Sequence, residues 1–169
     1  MVSGARLRYA SNSPATLPVT IPMSDTTLTL QSLAAPILRS VPEAVICCDL
    51  QGIIRVWNPG CEKVFGWSAA EALGQSLDLI IPERMRKAHW EGFDAAVARG
   101  GVKSGRAAMI TRALHKTRES IYVDMSFEMV RDAQGQLLGS VAVARDATQR
   151  YTEEKALRKQ LAELTAAKS

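Results

Sequence analysis

The residues from 120 to 129 alternate between polar and apolar side chains. Every odd position is large and apolar, and most even positions are polar; the apolar set is Ile121, Val123, Met125, Phe127 and Met129. Because successive side chains in a strand point to opposite faces, this pattern predicts an antiparallel strand with one buried face. A chain built on such a strand needs partner strands beside it and a second layer against its apolar face.

Shorter β-prone segments supply the partner strands. They are residues 44–49, 53–57, 107–114 and 137–144. Leu50-Gln51-Gly52 joins the first two as a hairpin, and the turn at 132–135 leads into the last. The five segments predict a single antiparallel sheet.

Helical patterns fall between the second and third of these strands. Ser68 followed by Glu71 is a capping box, with Gly66 separating two short helices. The expected fold class is therefore α+β, a five-stranded antiparallel sheet with helices on one face.

Residues 81–100 place one of the chain's two histidines on the apolar face of a helix. Pro82 suits a helix start and Gly100 a helix stop, which predicts a helix over 83–99. Its apolar face consists of Met85, His89, Phe93 and Ala96. An imidazole in an apolar wall needs a hydrogen-bond partner or a metal, because leaving it unpaired costs on the order of 1–3 kcal/mol.

The length of 169 residues favours one domain with flanking segments. We expect a disordered tail over 1–26, a capping helix over 27–40, the domain over 41–148 and a helix over 149–169. Ser24 and Asp25 could cap the first helix, and a translation start at Met23 would remove the tail. In the last helix, Leu157, Leu161 and Leu164 have coiled-coil spacing, and so short a helix needs a partner.

Composition argues against several other classes. The chain has neither a long apolar run nor a secretory signal, so we expect a cytoplasmic protein without a membrane partner. Its three cysteines lack the spacing of a zinc site and are expected to be reduced. The net charge of +4 is scattered, which disfavours nucleic-acid binding. Motifs of phosphate-binding loops and nucleophile elbows are missing, so we expect no enzymatic activity.

The order of several short motifs resembles the PAS domain family. They are VPEAVICCD, NPGCEKVFGW, Glu71-Ala72-Leu73-Gly74, Ile81-Pro82 and Arg145-Asp146-Ala147-Thr148. The resemblance covers about 36–148 and implies a sensory and dimerisation module with a small ligand cavity. It also implies that Asp146 and Thr148 couple the last strand to an output helix.

A narrower resemblance concerns the predicted helix. Its PExxRxxH pattern is similar to the haem-binding helix of oxygen-sensing PAS domains of the FixL and Dos types. The resemblance makes His89 the axial iron ligand and places Met125 and Phe127 on the distal wall. Met109 falls where those sensors have an arginine that binds oxygen. A thioether there could itself ligate iron, which favours redox or carbon monoxide sensing over oxygen sensing.

Three functions remain open from the sequence. The leading interpretation is a PAS sensory and dimerisation module without its own output domain, acting as a homodimer on a separate signalling protein such as a histidine kinase. The first alternative is a haem-based redox or gas sensor that uses His89. The second is a ligand-free interaction scaffold, in which His89 is a hydrogen-bonded core residue.

Overall fold

A computed structural model describes residues 28–101 and 108–166 of the chain. Five antiparallel strands form one sheet in the order β2-β1-β5-β4-β3. The strands are β1 (Ala44–Asp49), β2 (Ile54–Trp57), β3 (Met109–Leu114), β4 (Ser120–Arg131) and β5 (Leu137–Asp146). The α+β class and the five-stranded antiparallel sheet expected from the sequence are confirmed.

The helices between β2 and β3 cover one face of the sheet. They are α2 (Pro59–Phe65), α3 (Ala69–Ala72) and α4 (Glu83–Arg99), with a 3₁₀ turn at Leu77–Leu79. Ser68 and Glu71 form the predicted capping box. Helix α4 has the predicted bounds and stops at Gly100 in the left-handed conformation, with φ of 69°.

The buried side of the sheet carries small side chains on its central strand. Ser140, Ala142 and Ala144 of β5 face the helical layer, whereas bulky residues such as Ile54 and Phe65 fill the core toward β2 and α2. Small side chains in the middle of the sheet leave a space between the sheet and the helices, and the neighbouring side chains do not fill it. The space left opposite α4 becomes a cavity.

Two further helices, α1 (Leu30–Ser40) and α5 (Thr148–Ala166), flank the domain. Thr29 caps α1, while Ser24, Asp25 and the tail over 1–26 lie outside the described residues. Neither helix has a buried residue, and Leu157, Leu161 and Leu164 of α5 are each more than 60% exposed. Among residues 28–101 and 108–166, no helix is long and apolar enough to span a bilayer.

Candidate functional site

A cavity of about 480 Å³ lies between α4 and the buried face of the sheet. This volume is in the range of roughly 300–1,000 Å³ that is common for small-molecule pockets. The site residues predicted from the sequence, His89, Met109, Met125 and Phe127, all line it. The pairing of Met109 with Met125 across β3 and β4 brings the two thioethers to the same part of the wall.

His89 is half-buried on the cavity side of α4, and its Nδ1 is buried without a hydrogen-bond partner among the described residues. Its ring stacks on Phe93 at 6.3 Å and meets Trp90 edge-on at 4.9 Å. Burial lowers the pKa of His89, and the negative charge of Asp78 opposes that shift. The imidazole is therefore held neutral, with a nitrogen available to a ligand.

The neighbouring residue Trp90 fixes the rotation of α4. Its indole Nε1 donates a 2.9 Å hydrogen bond to Asp78, and its ring covers the hairpin turn at Gly52. Arg86, one turn earlier, donates to the main-chain carbonyl oxygens of Asp78 and Ile81. These contacts hold the face with His89 toward the cavity.

The sequence-based prediction missed the polar part of the cavity wall. The Sγ of Cys48 lies 3.2 Å from the Oγ of Ser140, and both residues line the cavity together with Thr111. Burial raises the pKa of the Cys48 thiol, so this residue stays a weak hydrogen-bonding group. The inward alternation of Ala44, Ile46 and Cys48 on β1 was the signal that could have identified it.

The donor set of the described cavity residues resembles that of a haem site more than that of a bare metal ion. Within the described residues, no group of three or more His, Cys, Asp or Glu side chains could hold a metal ion. A porphyrin brings four nitrogen ligands of its own, so one or two protein ligands would be sufficient to hold its iron. The unpaired imidazole of His89, the apolar wall and the thioethers of Met109 and Met125 fit that requirement.

Arg99 is a cation at the edge of this cavity that the sequence did not single out. It lies in the last turn of α4 and lines the cavity. Arg86 faces Asp78 at 3.6 Å instead. A guanidinium at the mouth of an apolar cavity suits a ligand with a carboxylate end.

The two residues expected to transmit a signal have different roles at the start of α5. Asp146 accepts a hydrogen bond from the backbone N–H of Thr148, so it caps the helix locally. The Thr148 hydroxyl accepts from the backbone N–H of Tyr122 at 3.0 Å, which ties the helix to β4. Tyr151 then stacks on the ring of Tyr122 at 3.9 Å.

His115 lies in the β3–β4 turn, away from the cavity. Its Nδ1 contacts the Thr117 hydroxyl at 2.9 Å, and its ring packs on Gly66. The two histidines therefore do not belong to one site.

The fold, the cavity and a terminal helix held against β4 are together typical of a PAS-type module. The family model of the PAS fold matches residues 38–152, more than half of the chain. The chain therefore belongs to the PAS fold family.

Similar proteins agree with this assignment. The chain is 42% identical to the sensor protein FixL of Bradyrhizobium diazoefficiens over 53 residues, which are 31% of this chain and 10% of FixL. A PAS domain from Colwellia psychrerythraea has a TM-score of 0.63 at 24% identity, over 72% of this chain and 99% of that one. A sensory box histidine kinase/response regulator from Burkholderia thailandensis has a TM-score of 0.55 at 16% identity, over 82% and 99%. The structural matches share the fold, and the chain spans about a tenth of FixL.

Proposed function

We propose that this chain is a non-enzymatic sensory module that binds a small ligand in the cavity beside His89 and reports its presence through α5. The observation that carries the proposal is that one strand contacts both the cavity and α5. Val123 and Met125 of β4 line the cavity, and Tyr122, next to Val123 in the same strand, holds the start of α5. A ligand that moves β4 must also act on the helix.

Native mass spectrometry of the chain purified without denaturation tests ligand binding. We expect one small molecule per chain, lost in Gly92→Leu, which fills the cavity from α4. Residue 92 has no atom within 4 Å of an added Cβ, so this variant has room for a larger side chain. A wild-type chain that carries no molecule, with a Gly92→Leu variant of equal stability, favours the ligand-free scaffold instead.

We propose a second copy of the chain as the partner of the two flanking helices. Leu30 and Ile37 of α1 and the three leucines of α5 are exposed, which is unfavourable for isolated apolar side chains in a row. Arg158 pairs with Glu154 along α5, so charges border the apolar residues as they do in a coiled coil. A histidine kinase is the proposed receiver of the signal.

Sedimentation equilibrium checks the homodimer. A dimer at micromolar concentration is expected for the wild type, and a monomer for Leu161→Glu. Lys155→Glu, another charge change on α5, is the matched control and should stay dimeric. A wild-type chain that remains monomeric contradicts the proposal.

Haem is the ligand that the site chemistry favours. His89 presents an unpaired imidazole in an apolar wall, and the chain matches part of the sensor protein FixL. Bound haem would supply an iron that binds diatomic gases or changes oxidation state. His89 would hold the iron, with Met109 or Met125 as a further candidate ligand, and Arg99 would pair with a propionate.

The residues of the cavity would also tune that chemistry. The apolar wall around Phe127 would exclude water, and position 109 carries a methionine. Arg112 also borders the cavity, but its Nε donates to the Tyr122 hydroxyl. This favours a redox or carbon monoxide sensor over an oxygen sensor. An absorption spectrum with a Soret band is the expected result, and a Met125→Leu variant with an altered band would identify the second ligand.

A further inference from the structure

Arg112, Tyr122 and Tyr151 form a continuous cluster from an edge of the sheet to helix α5. The Nε of Arg112 donates a 3.1 Å hydrogen bond to the Tyr122 hydroxyl, and its guanidinium lies 5.4 Å from the centre of the Tyr122 ring. The Tyr122 ring is in turn stacked on Tyr151 at 3.9 Å, with the planes inclined by 25°. The Tyr122 ring thus lies between the Arg112 guanidinium of β3 and Tyr151 of α5.

The backbone of Tyr122 holds the same helix start. Its carbonyl accepts from Ala147 N–H at 2.8 Å, and its N–H donates to the Thr148 hydroxyl. Arg150 adds an ion pair with Asp124, at 2.8 Å. None of the described residues of α5 is buried, so the orientation of α5 depends on this first turn.

Strand β3 is the wall of the cavity that is held least firmly by the sheet. It is an edge strand that pairs with β4 alone, yet Met109, Thr111 and Ala113 all line the cavity. A strand with one partner is displaced at lower cost than a central strand with two. Arg112 borders the same cavity and moves with β3.

We infer that Arg112 is the positioning residue that converts displacement of β3 by a cavity ligand into a change in the docking of α5, through the Tyr122–Tyr151 stack. The inference rests on the proposed sensory function. It names a route distinct from Asp146, whose side chain only caps the helix. When β3 moves outward, Arg112 leaves the Tyr122 hydroxyl, the stacked ring loses its support, and the first turn of α5 loosens.

Hydrogen exchange of the full chain tests this route without any ligand. The reporters are the amides of Ala147 and Tyr151, which are bonded to Tyr122 and to Ala147. Arg112→Leu and Tyr151→Leu should each speed exchange at these amides by about tenfold, the effect of losing roughly one hydrogen bond or ring contact. Tyr122→Phe keeps the stack and removes only the hydroxyl, so a smaller acceleration of about threefold is expected.

Two substitutions that fill the cavity from opposite sides then test whether displacement of β3 is what acts on α5. Thr111→Phe pushes from β3 and should speed exchange at the α5 amides, whereas Gly92→Leu fills the space from α4 and should not. In an Arg112→Leu background, Thr111→Phe should add no further acceleration. Arg55→Leu, on the opposite edge strand β2, is the control for removing an arginine and should leave α5 unchanged.

Several results would overturn the inference. Arg112 does not act on α5 through Tyr122 if exchange is unchanged in both Arg112→Leu and Tyr122→Phe. The same conclusion follows if the effects of Thr111→Phe and Arg112→Leu are fully additive. Equal effects of Thr111→Phe and Gly92→Leu also contradict the inference, because displacement of β3 is then not what acts on α5. Ligand binding is measured separately by mass spectrometry, so a chain that binds a ligand but fails here retains its sensory function and loses only this route.

Discussion

Trp90, the residue after His89 in α4, donates a 2.9 Å hydrogen bond from its indole Nε1 to the carboxylate of Asp78. The bond joins α4 to the 3₁₀ turn at Leu77–Leu79 that precedes it. With the indole fixed, α4 cannot turn about its axis and carry His89 away from the cavity without breaking the bond. The orientation of His89 is therefore a property of the fold.

The hairpin turn at Gly52 depends on the same indole. A Cβ at residue 52 would lie 2.2 Å from the Trp90 ring, and the backbone there has φ of 74°. Gly52→Ala should destabilise the fold by about 2–4 kcal/mol, because it combines a strained backbone with a steric clash. Denaturant unfolding measures the loss, and tryptophan fluorescence should report displacement of Trp90.

Gly74→Ala is the matched control for this substitution. Residue 74 has φ of 81° but open space around an added Cβ, so only the backbone strain of about 1–2 kcal/mol applies. Equal losses in the two variants would show that Trp90 does not rest on the hairpin.

The stability of the fold should depend on pH through His89. Burial keeps the folded pKa below the ordinary value of 6.5, so the unfolded chain takes up a proton first as the pH falls. Where the unfolded state binds more protons, stability decreases with decreasing pH, and the decrease ends once the folded imidazole is also protonated. Thermal unfolding from pH 8 to pH 5 should show this loss in the wild type and a smaller one in His89→Leu.

His115→Leu controls for removal of a histidine from the β3–β4 turn. Its pH profile is the reference for that of His89→Leu, because each variant lacks one imidazole. A His89→Leu profile parallel to that of the wild type would mean that the imidazole is not held neutral by burial.

Asn58 is the polar centre of the junction between α1, β1 and α2. Its Oδ1 accepts from the N–H groups of Val45 and Cys61, and its Nδ2 donates to the carbonyls of Leu38, Val41 and Glu43. The residue is 4% exposed, so Asn58→Ala leaves these groups unsatisfied and should cost about 3 kcal/mol or more.

Asn58→Asp distinguishes the hydrogen bonds that Asn58 accepts through Oδ1 from those that it donates through Nδ2. It keeps an acceptor but removes the amide donor and places a carboxylate against three carbonyls, so it should destabilise at least as much as alanine. Chemical denaturation gives both values. A loss under 1 kcal/mol for either variant would show that water can replace the asparagine.

The fold was predictable because its strongest signals are local. The alternation around Val123 and Met125 defines β4, and Pro82 and Gly100 bound α4 as they do in the structure. The apolar face with His89 also followed from periodicity alone, and the structure places it on the cavity. Helical spacing determines which face is buried, whatever the rest of the chain does.

The remaining features depend on contacts between distant segments. The pair formed by Cys48 and Ser140 requires β1 and β5 to be neighbours, which no local pattern states. The stack of Tyr122 on Tyr151 requires the first turn of α5 to lie against β4, and the role of Asp78 requires the 3₁₀ turn to lie beside α4. Sequence spacing carries no information on such juxtapositions.

Hemin titration, followed by absorption, tests the central claim that His89 is the binding residue of the cavity. The account predicts a Soret band that saturates at one hemin per chain in the wild type and in His115→Leu, and that is lost or strongly shifted in His89→Leu. Saturation of His89→Leu identical to that of the wild type, or the absence of saturable binding in a folded wild-type chain, would contradict it.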